Sequence, residues 1–322
     1  MSKWSARIYV LLILGVLSFT LAPILVRLAG DVPGLMIAVW RTVTAAGVLL
    51  PVAVARQETV EEMKQLSGRD GLLILVSGVF LGLHFITWIE SLYHTTVASA
   101  SVFVTSSPLM LAGLGYVVLG ERLARTTIAA IIVAVLGAAT IGWADAGSVT
   151  LGQGALWGNA LALGAAALVS VYLLIGRVVR QQVSWLAYVT PLYTVAAITA
   201  VGAAMMKGTP LFGYSWRVYG LCVALALGPQ VLGHGSFNYA VQQVSAAIVG
   251  MLALLEPVGA SLFAYVLFGE VPPVLSIAGM LVVLAAVAVV VWRRNRAPAR
   301  SDESLDHRED DGEGAVRSGP RN

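Results

Sequence analysis

Glu256 lies 12 residues past position 244 in a long apolar run, and Pro257 follows it directly. At 1.5 Å per residue the carboxyl stands about 18 Å along a helix, close to the centre of a bilayer if that run spans one. An ionisable group at such depth costs on the order of 2.5–3.5 kcal/mol to insert and is a functional candidate by default. Two roles suit it. It could take up and release a proton during a transport cycle, or it could hydrogen-bond backbone groups that Pro257 leaves without partners. Arg41, about seven residues into its own apolar run, offers a cation with three uses: an ion pair with Glu90, an outward snorkel, or a clamp on an anionic substrate group.

The stretch from Gly228 to Asn238 is the least regular of the apolar runs, with Gly228-Pro229-Gln230 and Gly233-His234-Gly235 inside it. Interrupted helices tend to line binding cavities, because unpaired backbone is tolerated only beside water or protein. Gln230, His234 and Asn238 are therefore candidate cavity residues, and His234 could equally be a packing histidine. His84, Trp88, Trp157, Asn159 and Tyr172 combine aromatic faces with polar tips suited to a small amphiphilic molecule, although aromatics near run ends also anchor helices at the interface. No hydrolase, zinc-protease, dithiol or phosphate-loop motif occurs, so no catalytic site, metal site or cofactor is expected. The single cysteine, Cys222, rules out a disulfide framework.

Apolar residues make up 58% of the chain and charged residues 11%, against roughly 25% charged in soluble domains. Such a chain has too few charges to surround a core with a polar shell, so the bilayer is its solvent. The formal charge of +3 is too small to suggest nucleic acid. About 20 apolar residues cross the hydrocarbon, and ten segments fit: residues 6–28, 34–55, 71–93, 96–118, 126–143, 153–175, 184–206, 216–239, 244–268 and 274–292. Residues 56–70 form the one long polar connection, read as a surface helix. With both termini in the cytoplasm, twelve Lys and Arg fall on the inner side and three on the outer, which sets the expected orientation in the cytoplasmic membrane.

The chain also repeats itself. Residues 84–121 return 149 positions later, with Pro108 matching Pro257, Gly120 matching Gly269 and Glu121 matching Glu270. Five spans per half is odd, so the second half enters the membrane inverted. The expected fold is all-α and integral to the membrane, with ten transmembrane helices as two inverted five-helix repeats. Its units are residues 1–143 and 152–292, followed by a disordered cytoplasmic tail at 293–322. Glycine pairs four apart, Gly78/Gly82 and Gly154/Gly158, read as helix-packing faces. Residues 126–143 and 274–292, free of charge, are expected at a lipid-facing or homodimer-forming periphery.

This pattern resembles the EamA-type branch of the drug/metabolite transporter superfamily. Residues 98–108 with Leu119-Gly120-Glu121 match the first-repeat pattern, residues 245–247 with Glu256-Pro257 and Phe268-Gly269-Glu270 match the second, and Arg41 after Trp40 matches the second-span arginine. The resemblance implies a secondary transporter exporting a small metabolite such as an amino acid or nucleoside by alternating access, with proton coupling an open question. Two other classes are weighed against it: an intramembrane enzyme using Glu256 and His234, and a non-transporting membrane scaffold.

Overall fold

The computed structural model describes residues 5–95, 97–145, 153–269 and 271–296. Among these the chain is helical and carries no strand. The order is α1 (Ala6–Thr20), α2 (Ala22–Ala29), α3 (Gly34–Val54), α4 (Gln57–Lys64), α5 (Gly68–His94), α6 (Val97–Val104), α7 (Ser107–Leu119) and α8 (Arg125–Asp145). It continues with α9 (Gln153–Val179), α10 (Trp185–Lys207), α11 (Trp216–Leu225), a π-helical stretch (Ala226–His234) and α12 (Gly235–Ala240). The last three are α13 (Ala246–Ala253), α14 (Leu255–Phe268) and α15 (Val274–Arg296). The acidic tail beyond residue 296 lies outside the described residues.

Eight helical segments are long and apolar enough to cross a membrane, with Ser107–Leu119 and Arg125–Ile141 as shorter apolar helices. The segment expected over residues 96–118 holds two separate helices, α6 and α7, because Pro108 can open a helix but cannot donate within one. Pro23 does the same in the first turn of α2, and Pro257 stands near the start of α14. Pro229 lies inside the π stretch, where the widened turn takes the place of an α-turn. The surface helix expected in residues 56–70 is α4, whose Glu62 accepts a 2.6 Å hydrogen bond from the Ser184 amide at the start of α10.

Both Gly-Glu stops work through glycine. Gly120 (φ 66°) ends α7 and Gly269 (φ 67°) ends α14 in the left-handed conformation, and the amides of Gly120 and Glu121 cap the carbonyls of Tyr116 and Gly115. Glu270 lies outside the described residues.

The halves interlock. α9 packs along α5, α10 lies against α3 and α5, and α15 pairs with α8. Small residues set these distances: a Cβ on Gly78 would stand 2.6 Å from Val195 Cβ, and one on Gly82 would stand 2.9 Å from the Ala196 carbonyl. Gly158 seats the α9 backbone against His94 and Thr95 in the same way.

Candidate functional site: a cavity where broken helices meet

The four interruptions converge. The breaks α1/α2, α6/α7 and α13/α14 and the π stretch surround one cavity, contributing Phe19 and Ala22, Thr105 and Ser107, Ala253 and Glu256, and Pro229 and His234. Unbroken α3, α5 and α9 add Arg41, then His84, Phe85 and Trp88, then Val169 and Leu173. The cavity has a volume of about 70 Å³. That is room for a few waters in the present conformation, at roughly 10–15 Å³ each on this measure.

Arg41 is 1% exposed, yet it forms no ion pair among the described residues. Its Nε donates to Gln230 Oε1 at 3.2 Å and its guanidinium sits 4.0 Å from the Phe85 ring centroid. A buried cation usually needs a counter-ion, because desolvation costs several kcal/mol; here a π-face and one amide oxygen replace it. The anticipated pairing with Glu90 is corrected. Glu90 stands outside the cavity lining, 3.5 Å from His94 and 3.7 Å from Lys207. One helical turn closer to the end of α5 puts it in reach of those cations instead.

Glu256 brings a carboxyl to the same cavity. Its Oε1 is buried with no hydrogen-bond partner. It makes no bond to His234, so the pairing an intramembrane hydrolase would need is not formed.

The two histidines face each other across the site, ring centroids 5.9 Å apart. His84 Nδ1 lies 2.9 Å from the Ala165 carbonyl, which can only accept, so Nδ1 carries a proton there. His234 Nδ1 shares a 2.9 Å hydrogen bond with the Tyr172 hydroxyl, and Phe19 and Phe85 meet its ring edge-to-face at 4.8 and 5.0 Å. Carbonyls loosened around the π stretch are satisfied from α10: Tyr193 donates to the Gln230 carbonyl at 2.9 Å and Trp185 Nε1 to the Gly235 carbonyl at 2.8 Å. Two amides remain under-satisfied. Gln230 Nε2 is buried without a partner, and neither amide atom of Asn238 has a well-formed hydrogen bond, although the Tyr172 and Tyr193 hydroxyls stand beside it.

Of the candidates, Arg41, His84, Trp88, His234 and Glu256 line the cavity, with Gln230 behind Arg41 and Asn238 buried one helical turn on. Trp157 is 58% exposed and Asn159 accepts from Thr95 at 2.9 Å; neither lines the cavity. Phe19 and Phe85 were not anticipated, since nothing distinguishes one aromatic in an apolar run from another. Among the described residues no group of three metal-ligating side chains occurs.

Several helix ends are tied together at one end of the bundle. From the end of α9, Arg177 Nε donates to Glu121 Oε1 at 2.9 Å, and its Nη1 donates to the Val241 and Gln242 carbonyls at 2.7 and 2.8 Å. Arg180, 2% exposed, donates to the Asn238 and Val183 carbonyls and to Gln242 Oε1. Burial pushes its guanidinium below the usual arginine pKa.

The profile of the EamA-like transporter family matches residues 6–143 and 156–292. The chain is 27% identical over 247 residues to the pseudopaline exporter CntI of Pseudomonas aeruginosa, covering 76% of this chain and 83% of that one. It is 31% identical over 205 residues to a probable terminal-alkyne amino-acid exporter of Streptantibioticus cattleyicolor, covering 61% of this chain and 65% of that one. A solved crystal structure superposes with a TM-score of 0.76 at 18% identity, over 92% of this chain and all of the other, a likeness of fold alone. With the family profile spanning nearly every helix described above, the chain belongs to the EamA-like transporter family: it is a multi-pass membrane protein whose activity is transport, not catalysis.

Proposed function

We propose that the protein is a ten-span secondary transporter of the cytoplasmic membrane. In this reading two inverted five-helix repeats alternate access to the central cavity, both termini face the cytoplasm, and a small metabolite is exported. The observation that carries the reading is the cavity itself. Four helices break around it, and it holds an unpaired cation, Arg41, and an unpartnered carboxyl, Glu256, drawn from opposite halves. Such groups are expensive to bury and fit a substrate that completes them.

The ligand this arrangement suits best carries both an anionic and a cationic group, as an amino acid does. Arg41 would take the carboxylate, and Glu256 the ammonium or, between substrates, a proton. Phe19, Phe85 and Trp88 would supply apolar contact for the side chain. The amino-acid exporter among the relatives supports the same class. The Arg177–Glu121 pair fits alternating access, since it links the end of α9 to the end of α7 through an interaction that can be released and remade.

Proteoliposomes loaded with labelled amino acids and nucleosides test this. Transport of an amino acid, lost in Arg41→Gln, is the expected result, and Glu256→Gln should retain binding while losing dependence on a pH gradient. Normal gradient-driven transport by the glutamine variant would remove Glu256 from proton coupling. Saturable transport of nucleosides alone would refute the zwitterion reading.

A further inference from the structure

α8 and α15 pack along each other and touch closely at one level. A Cβ on Gly279 would stand 2.6 Å from the Gly137 carbonyl, so the two backbones meet there. From that crossing toward the start of α8 and the end of α15 they border a shallow, open groove of about 430 Å³. Its walls are small and apolar, with Ala129 and Val133 facing Ala285 and Val289, and the wall residues from Thr126 to Val133 run about 10 Å along α8. Val133 and Val289 are each 45% exposed, so the groove opens outward on the apolar face of the bundle.

The open end is cationic. Arg293 lines the groove there, Arg125 precedes Thr126, and Arg122 lies three residues before Arg125 in the segment leading into α8; all three have no ion-pair partner among the described residues. Ala124 precedes the 21-residue α8 and has no side-chain oxygen to cap its first amides. Exposed Trp292 beside Arg293 marks this end as the height of the lipid headgroups.

We propose that this groove binds one anionic phospholipid. One acyl chain lies between α8 and α15, and the phosphate meets Arg125 and Arg293 at the start of α8. Three features together specify the occupant: an apolar slot open to the hydrocarbon, arginines at its headgroup end with no ion-pair partner among the described residues, and no acidic side chain among the described residues that line it. A zwitterionic headgroup would bring its own cation toward those arginines. A second copy of the chain would have to place its own side chains in the slot, opposite a set of like charges.

The test uses the full-length protein in detergent, with native mass spectrometry after addition of equal phosphatidylglycerol and phosphatidylcholine. One phosphatidylglycerol should be retained in preference, and Arg125→Gln and Arg293→Gln should each weaken retention about fivefold. Ala285→Phe should fill the slot and lower retention with all arginines intact, while melting temperature in the absence of added lipid reports whether the variant folds. Glycerol phosphate should not compete; full competition would show a free-phosphate site and overturn the lipid assignment. Equal retention of the two lipids, or unchanged retention in the doubly substituted protein, would also overturn it. Cross-linking between copies through Ala285→Cys, in a Cys222→Ala background in native membranes, would assign the face to a dimer instead.

Discussion

Replacing Glu121 by glutamine tests whether the tie at the end of α9 is a gate. The substitution preserves size and one acceptor oxygen, so Arg177 keeps a hydrogen bond to position 121 and both bonds to the Val241 and Gln242 carbonyls. What is lost is the charge on the acceptor. A hydrogen bond to a charged group contributes about 1.5–3 kcal/mol and a neutral one about 0.5–1.5 kcal/mol, a difference of roughly 1–1.5 kcal/mol. The two side chains are 23% and 24% exposed, so solvent screening favours the lower figure, about 1 kcal/mol. If closure of this end depends on the pair, the open population should rise about fivefold. Ser107 lines the cavity, and its hydroxyl can be exchanged for a thiol of nearly the same size. In a Cys222→Ala background, Ser107→Cys should react with an impermeant maleimide in inside-out vesicles about fivefold faster when Glu121 is also glutamine. An unchanged labelling rate with a lowered melting temperature would show that the pair only holds the fold together.

Three other outcomes are expected. In the Cys222→Ala background, a cysteine at Ser148 should label from outside intact cells and one at Ser304 should not; the reverse pattern would invert the proposed orientation. One residue inserted after Gly233 should abolish transport at normal membrane levels, because it rotates Asn238 and the segment leading to it about 100° away from Tyr172 and Tyr193; retained transport would show that the register of this segment is unimportant. Gly78→Ala puts a methyl 2.6 Å from Val195 Cβ and 2.8 Å from the Leu192 carbonyl, so α5 and α10 must separate and the melting temperature should fall, by about 1–3 kcal/mol of stability; an unchanged melting curve would refute the packing argument.

The helices were legible because apolar runs and their breakers are local signals, and the repeat registered Pro108 on Pro257 and Gly120 on Gly269. The glycine faces were legible for the same reason: four-residue spacing fixes a helix face whatever lies opposite. The break between α6 and α7 was hidden, since an apolar run reads the same whether a helix crosses it once or restarts inside it. Proline alone does not decide the matter, because Pro191 lies within unbroken α10. Pro23, Pro108, Pro229 and Pro257 stand at the breaks that surround the cavity, whereas Pro191 lies in a helix that does not line it, and convergence on a cavity is a property of the bundle. The site divides along the same line. Arg41, His84, His234 and Glu256 stood out as polar groups in apolar runs, but their partners depended on distances across the bundle. Hence Glu90, a carboxylate plausible on charge alone, proved to serve His94 and Lys207, while Phe85, carrying no charge, is the residue on which Arg41 rests. A buried arginine held by an aromatic face and an amide keeps its charge available. That choice of partners, invisible in composition, is the physical reason to look for an anionic group in whatever this cavity carries.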